Sequence, residues 1–269
     1  MVSSLFIGTT GFFQTYLGYV LLGMDPNILI CSAVFLVTFS TYSLNKLTDA
    51  REDAINMPER QNFLSGRRRM VLVISLLAYA LAAVMVFIDK PLSVPIIFIP
   101  IAANAVYSSR LVPGIPRLKD IPVMKSLVVA ISWTLVCMLL PAADLKGITI
   151  AALAPAMYFM LAKVFINAVL YDIRDIKGDK ETGVCTMPVL LGAGGTMAVL
   201  LIINSSLLPL IMMMNGKIKV LVALMAIYGY IYTWYFRERR GLFSLDFFVD
   251  GQWMLAAALL SLLEVAALI

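Results

Sequence analysis

The chain has 269 residues, 61% of them hydrophobic and 14% charged, with a net charge of +5 and a mean hydropathy of +0.93. Soluble domains carry about 25% charged residues, so this composition excludes a soluble globular fold and predicts an all-α, polytopic membrane protein. Histidine is absent, which removes His-based triads and His metal sites; Cys31, Cys137 and Cys185 are too far apart for a metal spacing or a disulfide framework.

Nine spans are predicted in chain order. The first, 3–23, is long enough to cross a bilayer and has no charged leader before it, so no cleavable signal peptide is expected. Its abrupt start suggests a further basic N-terminal segment. Spans 27–47 and 69–88 follow. The fourth, 92–108, is short and is interrupted by Pro95 and Pro100 just after Pro91; prolines are tolerated there where neighbours re-satisfy the freed carbonyls. Spans 123–142, 148–171, 190–214, 218–236 and 247–268 complete the set. No long linker or low-complexity tract appears, so residues 1–269 read as one integral domain.

Most of the 21 Lys and Arg residues lie in the loops after spans 2, 4, 6 and 8. An even-numbered set of loops shares one side, and the positive-inside rule makes that side cytoplasmic. Most of the 16 acidic residues fall on the same side. Acid does not serve the positive-inside rule and needs another reason.

Two stretches supply it. NKLTDARED (Asn45–Asp53) closes span 2 and YDIRDIKGD (Tyr171–Asp179) closes span 6. Asn45, Asp49 and Asp53 align with Tyr171, Asp175 and Asp179. A step of four residues turns a helix by only about 40°, so each trio shares a face. Carboxylates spaced in this way repel, and their repetition, with Asp172 added, implies a cation between them. Oxygen donors without His or Cys suit Mg²⁺ or Mn²⁺. Arg60, Arg110, Arg117 and Lys119 lie in loops that can fold over the carboxylates and grip phosphate oxygens. Acid, divalent metal and base together describe a diphosphate site.

These stretches resemble the two aspartate-rich motifs of the UbiA superfamily of intramembrane prenyltransferases: N-x3-D-x3-D early, D-x3-D late, and a tail matched here by Asp179, Gly183, Thr186, Pro188 and Gly192. The resemblance runs along the whole chain. YSSRLVPGIPRLKDIPVMK after span 4 is a looser match, with Tyr107 and Lys119 in the pattern and Arg110 where a lysine is often seen. The Arg–Pro common near the family's first span is missing. The resemblance implies nine helices around a central chamber and transfer of an isoprenyl group from a prenyl diphosphate to a lipophilic acceptor. It implies Mg²⁺ held by Asp49, Asp53, Asp175 and Asp179, with Asn45 as a further oxygen ligand or a phosphate donor. It also implies substrate contacts from Asn45, Arg60, Tyr107, Arg110 and Lys119, and an apolar chamber in which π faces meet a carbocation-like carbon. Trp133, Tyr158, Phe159 and Phe165, besides Tyr107, are available for that.

Lys163 lies within span 6, where a charge marks function by default, although snorkelling or a structural pair explains it equally; Asn167, one turn on, can line the same wall. Asp172 fits a third metal ligand, an acceptor-orienting base or an anchor for a basic side chain. The loops after spans 2 and 6 suit lids that exclude water. An aromatic acceptor is expected first and a glycerol phosphate lipid second. A cation-coupled transporter is disfavoured, because transport acids lie near the midplane and these lie at one surface. The expected partners are prenyl diphosphate, the acceptor and the bilayer, with no nucleic acid.

Overall fold

The computed structural model of the protein describes residues 2–48, 66–108, 121–145, 149–238 and 241–266, with residues 55, 57, 62 and 64 besides. Among these there is no strand. Helices α1 (Val2–Leu21), α2 (Ile28–Thr48) and α3 (Arg68–Asp89) open the chain. The broken α4 follows as a 3₁₀ turn (Pro91–Ser93) and two helical pieces, Val94–Ile97 and Ile99–Ser108. Then come α5 (Met124–Ala142), α6 (Ile150–Thr182) and α7, which joins Met187–Ser205 to Leu208–Met213. Helix α8 is Gly216–Tyr235; α9 joins Leu242–Leu245, a π turn Asp246–Asp250 and Gln252–Ala266.

The packing is a ring. Helix α1 touches α2, α5 and α9; α5 touches α4 and α6; and α7 and α8 continue from α6 round to α9. Polarity is inverted relative to a soluble fold. Leu77, Phe87 and Ile88 on α3 face outward, while Lys163, Asp172, Asp179 and Asn204 are buried. Polar groups inside and apolar groups outside are what a hydrocarbon solvent selects. Seven helices among the described residues are long and apolar enough to cross a membrane. The predicted count of nine is therefore approximate: α1 has the length but carries Thr9, Thr10, Gln14 and Thr15, and α4 is short. The prolines break α4 as expected, and the Tyr79 hydroxyl of α3 donates to the Ile97 carbonyl inside the break.

Helix α6 does not end at 171. Its 33 residues rise about 50 Å at 1.5 Å each, against a hydrocarbon core of about 30 Å. The acidic motif thus stays helical and projects beyond the apolar layer. Gly183, at φ +77°, then stops the helix. Val184 N–H donates to the Asp179 carbonyl (2.8 Å) and Gly183 N–H to the Lys180 carbonyl (3.4 Å), the paired bonds of a Schellman cap. No open loop follows span 6, only a short turn into α7, where Pro188 sits in the first helical turn and Gly192 (φ +66°) makes a kink. The lid expected after span 6 is instead helix and cap, because the polar residues there continue α6 rather than leave it. Most of the loop after span 2 lies outside the described residues.

Candidate active site

A chamber of about 300 Å³ opens inside the ring, walled by α1, α2, α4, α5, α6 and α9. Helix α2 brings Asn45 to this chamber and α6 brings Asn167, Tyr171, Asp172 and Asp175. The Asn45 side-chain oxygen accepts from Asn104 Nδ2 of α4 at 2.9 Å. Residues from both acidic motifs therefore face one space, although the chain between them is long.

The second motif is closed by cations. Lys125, at the start of α5, places its Nζ 3.1 Å from Asp172 Oδ1 and 3.0 Å from Asp179 Oδ1. Both carboxylates are almost wholly buried, whereas the lysine side chain is 28% exposed. Ser126 Oγ also donates to Asp172. Arg174 closes its guanidinium on the neighbouring Asp175 through Nε (2.7 Å) and Nη2 (2.6 Å) and stacks over the Tyr171 ring at 5.1 Å. The start of α5 is held in place by Val123, whose φ of +66° is an outlier for a β-branched residue and whose N–H donates to the Cys185 carbonyl at 3.2 Å. The cap of α6 and the start of α5 are thus tied together beside Lys125.

Asp172 and Asp179 converge on one ammonium, so the helix face is built to hold positive charge. Hard oxygen donors around a cation fit Mg²⁺. Among the described residues no group of three or more metal-ligating side chains is gathered. Asp49, Asp53, Arg60, Arg110 and Lys119 lie outside the described residues, as does the side chain of Tyr107. Asp179 is packed on Lys125 and is not part of the chamber lining.

Lys163, for which function, snorkelling and a structural pair were open, is buried and is not part of the chamber lining. Its Nζ donates to Tyr232 Oη at 2.8 Å and to the Met225 carbonyl at 3.1 Å, and it lies 4.7 Å from the Tyr232 ring centroid. This is the structural pair, with α8 as partner. Asn167 does line the chamber, and its side-chain oxygen accepts from Gln252 Nε2 at 2.7 Å. Of the aromatic candidates described, only Trp133 lines the chamber; Phe159 and Phe165 are packed in the core and Tyr158 bonds Ser206. Trp133 stacks on Tyr42, with centroids 5.8 Å apart and planes at 12°. Sequence reasoning missed Tyr42, which precedes Asn45 by three residues and so shares its helix face.

The larger omission is on α9. Asp246 and Asp250 line the chamber and both accept from the Tyr171 hydroxyl, at 2.9 and 2.7 Å. Their D-x3-D spacing was visible in the sequence. The π turn, closed by Gly251 N–H on the Asp246 carbonyl at 3.0 Å, sets both acids toward α6; such turns recur at functional sites.

A membrane bundle that is helical among its described residues, with acidic and basic side chains gathered at an internal chamber, is the architecture of an intramembrane enzyme. The chain belongs to the UbiA prenyltransferase family, whose model matches residues 4–248, and it is a prenyltransferase. Solved relatives share the fold. The apo structure of a UbiA homologue from Aeropyrum pernix K1 is 16% identical with a TM-score of 0.66, over 97% of this chain and 98% of that one. A UbiA homologue from Archaeoglobus fulgidus bound to DMAPP and Mg²⁺ is 18% identical with a TM-score of 0.62, over 97% and 96%. A digeranylgeranylglyceryl phosphate synthase is 17% identical with a TM-score of 0.55, over 97% and 95%. No curated protein sequence matches the chain significantly.

Proposed function

We propose that the protein transfers an isoprenyl group from a prenyl diphosphate to a lipophilic, aromatic acceptor with release of diphosphate, and that it does so at the cytoplasmic face. The observation that carries this reading is that Asn45 and Asp175, from the two acidic motifs, line one chamber. Asp49, Asp53, Asp175 and Asp179, with Asn45, would hold Mg²⁺, or Mn²⁺ in its place. The ion supplies neutralisation of the departing diphosphate.

The chain's own residues do the rest. Lys125 and Arg174, now paired with acid, stand where diphosphate oxygens arrive and can turn to them. The Tyr42–Trp133 stack offers a π face to the developing allylic cation. The buried walls exclude water, so the cation meets acceptor rather than hydroxide. The A. fulgidus homologue's DMAPP and Mg²⁺ support this donor class. The test is reconstitution in liposomes with dimethylallyl or geranyl diphosphate, Mg²⁺ and host lipid extract. Pyrophosphate release with a prenylated adduct by mass is expected; neither product with any donor would refute the reading.

A further inference from the structure

We propose that Tyr171, Asp246 and Asp250 form the acceptor subsite, and that it selects an uncharged acceptor presenting a hydroxyl group over one presenting a carboxylate or phosphate. This rests on the prenyl-transfer reading for its meaning and on the α6–α9 wall for its chemistry. Tyr171 lies one helical turn, about 6 Å along the axis, below Asp175. A diphosphate held at the motif would put its attached carbon at that depth.

The wall is rich in acceptors and poor in donors. The Tyr171 hydroxyl has one proton and stands within hydrogen-bond distance of two carboxylates, so it serves one at a time. Each carboxylate offers about four lone-pair sites. A ligand hydroxyl supplies a donor; a ligand carboxylate supplies more negative charge. The cations close by already face carboxylates and, on the prenyl-transfer reading, turn to the diphosphate: Arg174 stacks on Tyr171 and turns Nε and Nη2 to Asp175, and Lys125 holds Asp172 and Asp179. An anionic acceptor placed here meets Asp246 and Asp250 first.

A second observation comes from the opposite helix. Thr41 on α2 lines the same chamber, is 4% exposed, and its Oγ1 has no hydrogen-bond partner among the described residues. Buried hydroxyls are ordinarily partnered. Less than 1 Å² of this oxygen is accessible, so it is sealed in the chamber wall, and a rotation of the Thr41 side chain is what would bring it to a polar group on a bound molecule. Its neighbour Tyr42 and Asp250 both line the chamber, so α2 and α9 face the same space. A neutral hydroxyl can donate to an aspartate and accept from the threonine; a carboxylate can do only the second.

The experiment is equilibrium binding to the full chain in nanodiscs at pH 7, corrected with empty nanodiscs, using 4-heptylphenol, 4-heptylanisole and 4-heptylbenzoate. The phenol is expected to bind at least tenfold more tightly than the ether, which has no donor, and than the benzoate. The Asp246→Asn/Asp250→Asn double variant should cut the preference for phenol over benzoate by tenfold or more, whereas Tyr171→Phe, which removes the hydroxyl that donates to both carboxylates, should keep or raise it. Benzoate binding as tightly as phenol to the unaltered chain overturns the proposal, whether or not the variants fold. So does a folded double variant that keeps the full preference. Dimethylallyl diphosphate binding with Mg²⁺ is measured beside it; absence of that binding overturns prenyl transfer and leaves the ranking of the three probes to be read on its own.

Discussion

Replacing Lys125 with Met keeps the stem of the side chain and removes the charge between Asp172 and Asp179. The ammonium lies 3.1 and 3.0 Å from the two carboxylates, which are 4% and 2% exposed at their side chains. Breaking a buried pair by removing one partner costs about 3–5 kcal/mol. Here the lysine side chain is 28% exposed, so water screens part of that attraction, and a loss of about 2 kcal/mol is the working figure. Thermal unfolding of purified protein in detergent without divalent metal should show a midpoint lower by several degrees. Added Mg²⁺ should restore more stability in Lys125→Met than in the unaltered protein, because two freed carboxylates are then open to it and a ligand that binds only the folded state raises the midpoint. Lys125→Arg should stay near the unaltered value. An unchanged midpoint without metal, together with an unchanged Mg²⁺ response, would refute the view that this lysine holds the place of a bound cation.

Chelation with EDTA should abolish pyrophosphate release, and Mg²⁺ or Mn²⁺ should restore it; turnover that survives thorough chelation would end the metal assignment. Asp49→Ala and Asp175→Ala should each remove turnover, by at least a hundredfold in a pyrophosphate assay, while folded protein is still recovered from membranes. Near-normal rates in either would show that its motif is misassigned. Gly183→Ala should lower the unfolding midpoint by an amount equivalent to about 1–2 kcal/mol, the cost of a left-handed backbone in a residue with a Cβ, and should raise KM for prenyl diphosphate by loosening the cap at Asp179. A midpoint and KM both unmoved would separate the cap from the site.

The sequence made the acidic mouth legible and left much of the chamber dark, for reasons that can be named. Asp175 and Asn45 announce themselves because carboxylates and amides at matched helical spacing are rare in so apolar a chain. Asp246 and Asp250 have the same spacing, yet they straddle the predicted start of the ninth span at 247 and so read as polar residues at a span end. Four-residue spacing keeps the two acids on one face, and the π turn that carries them is a feature that periodicity at 3.6 residues does not register. Lys125 looked like one more topology charge, since its two partners, Asp172 and Asp179, lie 47 and 54 residues on. Lys163 looked functional because its partner Tyr232 is 69 residues away and no local pattern points to α8. The end of α6 was misplaced because hydropathy marks where a helix leaves the apolar layer, and it is Gly183 that marks where the helix stops.

The unbroken length of α6 turns distance into a property of the backbone. Asn167, Tyr171 and Asp175 stand at intervals of four residues on one rod, so the depths of acceptor wall and diphosphate motif are graduated in steps of about 6 Å, like marks on a ruler. No loop separates them that could lengthen or slacken. A substrate that needed its reacting carbon one step deeper could not be accommodated by shifting either mark alone. Relatives with different acceptors would be free to change the facing helices, α2 and α9, while this gauge between leaving group and nucleophile stayed the same.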